Sequence, residues 1–599
     1  MTVLTQPEAA APESSAPAGV GAWLLSHLRR YKRYIAVHLL GSVLWHVMTA
    51  GIPMATGIAF DAVLQEHADF SAFNGAVAAL LVMVLVRGLA GGSAIYALEA
   101  FACGLERDAR KDIFSSLLRK SQTFFNRRPV GDLSARATGD AEAMNLMMSP
   151  GVDMAVDLVL SLLVPIVFVA LIDPELLLSP VVFIILFVVA LLEHGRRLEP
   201  VSLATRKRFG LMSAQVSEAV TGIESVEATG RRAAVQKHFA ELADDYRAAF
   251  VAQGRTQALY IPPLLLTLAL ALGLLHGVNL VRSGDISIGE LVAFLGLMGS
   301  LRAPTQLASL SIGLIYLGVA GARRMLEVIN DPSGDDEQQG GHSAVIDGGI
   351  SFENVTFGYG DTPVLRDISF TVPPGATVAL VGTTGSGKST LLHLLNRTYE
   401  ADEGRVVVDG VDVTDWNLRS LRSQIAVIEQ DVMLFSTSIG DNLAFGAGAD
   451  ISRERLEEAA RMAQAHDFIT ASEHGYDTMV GERGITLSGG QRQRIAIGRA
   501  LVTDPRVLVL DDSTSAVDSA TEAQIQQAVR QASSGRTTFL ITTRLSRIRS
   551  ADHILVLDRG RIVGQGDHDG LIESCDLYRR IFAPYLTESR SPRTDEGVS

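Results

Sequence analysis

Up to about residue 325 the chain alternates long apolar runs with polar, charge-rich stretches, and beyond residue 350 the runs become short. Six runs are long enough to cross a bilayer as helices: 34–53, 75–98, 152–172, 175–193, 257–281 and 289–320. They predict an all-α membrane domain of about six spanning helices over residues 21–330. From Ile350 short β-rich runs give way to alternating strands and helices, which predicts one α/β domain over residues 349–583. The polar, glycine-rich stretch 331–348 reads as a linker. Residues 1–20 and 584–599 read as disordered tails. The first of these has no basic start followed by an apolar core, so a signal peptide is not expected.

Charge orients the spans. Arg29, Arg30, Lys32 and Arg33 precede the first run, and eight basic residues from Arg107 to Arg136 separate the second from the third. Arg196, Arg197, Arg206, Lys207 and Arg208 follow the fourth run, and Arg323 and Arg324 follow the sixth. The opposite connections, 61–74 and 173–175, have no Lys or Arg, and 282–288 has only Arg282. The positive-inside rule then predicts a multi-pass cell-membrane protein with both termini and the α/β domain in the cytoplasm.

Composition agrees with burial in lipid: 47% of the 599 residues are apolar. Net charge is 52 − 66 = −14, which argues against nucleic acid as a partner. Two cysteines, Cys103 and Cys575, make no disulfide framework, and the scattered histidines suggest no metal cluster. Both cysteines read as buried or interfacial. Inside the spans lie Arg87, Arg302, Asp153, Asp157, His38 and His46. Such groups face a bundle interior or water, as the cationic lining of a substrate cavity, as structural pairs, or as side chains snorkelling near the interface.

The chemistry concentrates in Gly382-Thr383-Thr384-Gly385-Ser386-Gly387-Lys388-Ser389-Thr390. An apolar strand-like run, 376–381, precedes it, and a helix-like run, 391–395, follows. In that context G-x-x-x-x-G-K-[ST] is a phosphate loop. Its glycines turn backbone N–H groups toward an anion, and the helix N-terminus adds its positive dipole end. Lys388 would reach the β- and γ-phosphates of ATP, and the Ser389 hydroxyl would bind Mg²⁺.

Further motifs make the likeness specific. Tyr359, Gln430 in Ile428-Glu429-Gln430-Asp431, Leu487-Ser488-Gly489-Gly490-Gln491 after Val480-Gly481-Glu482-Arg483-Gly484, the apolar run ending at Asp511, and Ser515-Ala516-Val517-Asp518 occur in this order. With the phosphate loop they resemble the nucleotide-binding domain of ATP-binding-cassette exporters. The resemblance covers about residues 21–583, as a half-size exporter with an α/β P-loop ATPase after the membrane domain. It implies that Tyr359 stacks on adenine, that Ser389, Gln430 and Asp511 hold Mg²⁺, and that Ser488, Gly489, Gly490 and Gln491 close over ATP on an opposite subunit. Two membrane-domain segments resemble the family's coupling segments. One is Phe124-Phe125 with Gly131-Asp132-Leu133-Ser134-Ala135-Arg136 and Asp140; the other is Glu218, Gly222-Ile223, Val226 and Glu227-Ala228. Taken singly each reads as an amphipathic helix with a solvated face; as a pair they read as coupling segments.

Two positions depart from the family. Asp512 stands where the family has a catalytic glutamate, and Thr543 where it has a switch histidine. Aspartate is shorter by one methylene, ~1.5 Å of reach, and a base must come within about 2.6–3.2 Å of its water. The departures strike one step, so this site is expected to bind ATP and hydrolyse it slowly, with Asp512, Gln430 and Thr543 as its catalytic set. Family drift with activity retained is the alternative. The expected partner is a second half-transporter, in a heterodimer or else a homodimer. Export of a small molecule, lipid or peptide is the leading reading. An importer on the same fold, for a siderophore-like substrate, and an ATP-regulated membrane protein without net pumping are the rivals.

Overall fold

The computed structural model describes residues 19–64, 69–331, 340–360, 362–447, 451–481, 484–511 and 519–588. The ends of both expected tails, residues 332–339 of the expected linker, Glu482, Arg483, Asp512 and 515–518 lie outside the described residues. The chain forms two compact units. One comprises Arg119–Pro129 with the described residues from 340 onward; the other comprises the described residues up to Leu118 with Val130–Asp331.

The second unit is helical. A short helix, α1 (Val20–Arg30), leads into α2 (Lys32–Leu64) and α3 (Phe70–Arg119). The chain then leaves the unit for α4 (Gln122–Asn126) and returns. There follow α5 (Asp153–Ile172), α6 (Leu178–Thr221), the short α7 (Ile223–Ala228), α8 (Arg232–Ala258) and α9 (Pro262–Ser283). Among the described residues five helical stretches are long and apolar enough to cross a membrane. The sixth expected run, 289–320, is not one helix. It breaks at Leu301 into α10 (Ile288–Ser300) and α11 (Arg302–Ile329). Pro304 has no N–H to give the carbonyl four residues back, at Ser300, which weakens the helix there.

The histidines and aspartates inside the spans are paired. His38 Nε2 lies 3.5 Å from Asp153 Oδ1, and His46 Nε2 lies 3.1 Å from Asp157 Oδ1, joining α2 to α5. The Arg87 guanidinium stands 6.0 Å from the Trp45 ring centroid. Arg302 is exposed on the first turn of α11. This is the structural-pair arrangement for the histidines and aspartates. Cys103 is exposed and Cys575 is buried; both are free.

The first unit holds two sheets. One has the order β2-β1-β4-β5, with β1 (Ile350–Phe357), β2 (Leu365–Val372), β4 (Glu403–Val408) and β5 (Val411–Asp412), all antiparallel. The other has the order β10-β9-β3-β8-β7-β6. Here β3 (Thr377–Gly382), β6 (Ile425–Ile428), β7 (Val507–Asp511), β8 (Thr537–Ile541) and β9 (His553–Asp558) are parallel, and β10 (Arg561–Gly566) closes the edge antiparallel. The central strands are buried on both faces, as their unbroken apolar runs require.

Two boundaries need correction. Residues 341–348 are tied to the sheet rather than free. Ile346 is buried, His342 exchanges backbone hydrogen bonds with Asp415 and Asn417, and the Asp409 carboxylate accepts the N–H groups of Asp347, Gly348 and Gly349. The last helix, Asp576–Glu588, runs past the expected end at 583, carried by its buried Tyr578 and Phe582.

Candidate functional site

The site forms where β3 and β7 end. β3 delivers Gly382, and the loop Thr383-Thr384-Gly385-Ser386-Gly387 turns into α12 (Lys388–Leu395). Gly385 (φ 79°) and Gly387 (φ 100°) adopt left-handed backbone that a side chain would strain. At Gly387 a Cβ would also come within 2.6 Å of Leu365 Cδ2. Thr383, Thr384 and Gly385 are exposed; Ser386 is buried and its N–H donates to the Thr383 carbonyl.

Lys388 Nζ folds back over the loop. It donates to the carbonyls of Gly382 (3.0 Å) and Thr383 (2.9 Å) and lies 3.4 Å from Ser386 Oγ. Burial pushes its ammonium below the ordinary lysine range, with the Asp511 carboxylate acting in the opposite sense. Beside it the Ser389 hydroxyl donates to Asp511 Oδ2 at 2.6 Å, joining positions 122 residues apart. Gln430 is exposed, and with Ser389, Asp511, His393, Tyr399 and Gln122 it lines a cavity of about 460 Å³. A hydroxyl, a carboxylate and a carboxamide around one space form an all-oxygen donor set, which fits Mg²⁺.

Tyr359 is 52% exposed. Its hydroxyl donates to Thr390 Oγ1 at 3.1 Å, which fixes the ring beside α12. Ser488, Gly489, Gly490 and Gln491 begin α13 (Gly489–Val502). Ser488 Oγ accepts the Gln491 N–H and the Gln491 side chain accepts the Ser488 N–H, a capping box that leaves Ser488 and Gly489 exposed at a helix N-terminus. None of these four lines the cavity around Ser389 and Asp511. Thr543 follows β8 and is exposed. Asp512 falls outside the described residues.

Sequence reasoning missed Tyr399, His393 and Gln122. Tyr399 offered one signal, an aromatic residue in the polar turn after α12.

A family profile described as "ABC transporter" matches residues 365–515, and one described as "ABC transporter transmembrane region" matches residues 35–305. An ATP-dependent lipid A-core flippase of Aromatoleum aromaticum is 34% identical over 96% of this chain and 97% of its own length. An uncharacterized ABC transporter ATP-binding protein, YknU, of Bacillus subtilis is 32% identical over 92% of this chain and 95% of its own. Among solved structures, a bacterial Atm1-family ABC exporter with ATP bound superposes with a TM-score of 0.79 at 29% identity, covering 94% of this chain and 99% of that one. The chain belongs to the ABC transporter family and is a half-transporter of the exporter type, with its transmembrane region and ATPase in one polypeptide.

Proposed function

We propose that this chain is one of two unlike subunits of an exporter for a lipid-like amphiphile, and that its own nucleotide site holds ATP·Mg²⁺ while hydrolysing it slowly. The α/β unit faces the cytoplasm, as the basic loops argue. Tyr359 stacks on adenine. The loop from Gly382 to Thr390 and Lys388 hold the phosphates, and Ser389, Asp511 and Gln430 hold Mg²⁺. Bound there, the ion neutralises phosphate charge. Ser488 and the helix N-terminus behind it close over the nucleotide of the partner subunit.

The observation that carries this reading is a contrast between the ends of β3 and β7 and the end of β8. After β3 and β7 the Ser389 hydroxyl meets Asp511 at 2.6 Å, which supports the binding role of both. After β8 the position of the family's histidine holds Thr543, whose short side chain brings neither imidazole nor positive charge. With Asp512 for glutamate, both departures fall on water activation and none on binding. The lipid-like substrate rests on the names of the flippase relatives.

The test is ATP turnover and vesicle transport by this chain alone and with a second half-transporter carrying the glutamate and histidine. Turnover only in the mixed pair is expected. Equal turnover by this chain alone would establish a homodimer with a working site. In the mixed pair, Asp512→Glu raises hydrolysis at this site about tenfold or more, since a positioned base contributes 10²–10⁴-fold. No change would move the cause to Thr543.

A further inference from the structure

The segment Arg119–Pro129 belongs to the nucleotide-binding unit, although the chain on either side of it belongs to the membrane unit. Its helix α4 is pinned by Phe124, which is 2% exposed. Arg128 lies over the Phe124 ring at 4.6 Å. Beyond this anchor, α4 makes a directed polar bond: Asn126 Nδ2 donates to the Tyr399 hydroxyl at 2.7 Å.

Tyr399 is where three parts of the site meet. It is 9% exposed, and its phenol is pushed above the ordinary tyrosine range by burial. Its ring stands edge to face with Tyr359, centroids 5.2 Å apart at 83°. Its N–H donates to the carbonyl of His393 on α12 at 3.3 Å. Tyr359 in turn is tied to Thr390, at the end of the phosphate loop. Edge-to-face pairs are sensitive to ring angle, so a purine that reorients Tyr359 shifts Tyr399, and the hydroxyl carries that shift to Asn126.

We propose that Tyr399 is a positioning residue that relays nucleotide occupancy from Tyr359 to α4 through its hydroxyl bond with Asn126. This rests on the reading that Tyr359 stacks on adenine. The two can fail separately.

The experiment follows hydrogen exchange of the 119–129 peptide in the full chain, in nanodiscs with its partner, with and without ATP·Mg²⁺. In the wild type ATP changes exchange in this peptide. Tyr399→Phe keeps the ring and loses the hydroxyl. It is expected to lose the ATP-dependent change at ATP concentrations that saturate the variant. Asn126→Asp, which accepts from a tyrosine hydroxyl instead of donating, keeps the change with Tyr399 and loses it with Tyr399→Phe. A purely structural seat would alter exchange equally with and without ATP. An ATP-dependent change that persists in Tyr399→Phe overturns the relay alone. Unchanged ATP affinity in Tyr359→Leu removes adenine stacking and the relay with it.

Discussion

Two short helices at the tips of long helical pairs, α4 and α7, are of similar length but sit differently. α4 buries Phe124 within the nucleotide-binding unit of its own chain. α7 buries none of its six residues. Around it Val220 is 67% exposed and Ile223 50%, and Val216, Val220, Ile223, Val226, Val235 and Phe239 line an apolar hollow of about 370 Å³. One tip is satisfied within the chain; the other presents an apolar surface with no cover of its own. Contiguous exposed apolar surface outside lipid marks an interaction site. Because exporters of this family work as dimers, we propose a second subunit as the occupant.

The largest effect should come from emptying the filled seat. Phe124→Ala removes a buried aromatic ring, a change that costs about 3–5 kcal/mol in a packed core. The expected outcome is loss of exchange protection across 119–129 and a lower unfolding midpoint for the chain by itself. Ile223→Ala should leave that midpoint within about 0.5 kcal/mol, the range of surface substitutions, and act only when the dimer forms. Equal cost at both positions would erase the difference between the tips.

Neither this difference nor the site around Tyr399 was open to inspection of the sequence, and the reasons are physical. The phosphate loop is legible because its glycines, lysine and serine are each required by phosphate chemistry, and the apolar runs announce spans because lipid tolerates little else. Hydropathy averages over a kink, so the break at Leu301 is invisible inside the run 289–320. The glycine-rich stretch before Ile350 reads as a linker because its tether, Asp409, lies some sixty residues further on. Tyr399 belongs to no periodic pattern; only the fold sets it between Tyr359 and Asn126. Whether an amphipathic tip is seated depends on a surface outside the tip itself, and its own residues hold no trace of it.

A middle-sized effect belongs to the cation over Phe124. Arg128→Ala removes a guanidinium 4.6 Å from the ring. A cation–π contact is worth about 0.5–2 kcal/mol, depending on desolvation. Denaturant unfolding should place Arg128→Ala between wild type and Phe124→Ala, and Arg128→Lys close to wild type because Lys keeps the charge. If Arg128→Ala matches Phe124→Ala, the seat depends on the cation more than on ring burial.

The smallest effect is the most informative about α7. Glu227 and Arg232 form an ion pair at 2.5 Å with side chains 49% and 75% exposed. Exposed pairs contribute about 0.2–1 kcal/mol, because water screens the attraction and two long side chains lose freedom. In the chain alone Glu227→Gln should change stability by no more than that, and the change should fade as salt is raised. Once a partner covers α7, the same pair lies in a lower dielectric, and losing one member leaves a charge without its counter-ion. The cost of Glu227→Gln should then grow on dimerisation and lose its salt dependence. A cost that stays the same in monomer and dimer would mean that nothing comes to rest on α7, and the asymmetry between the tips would be a feature of one chain rather than the imprint of two.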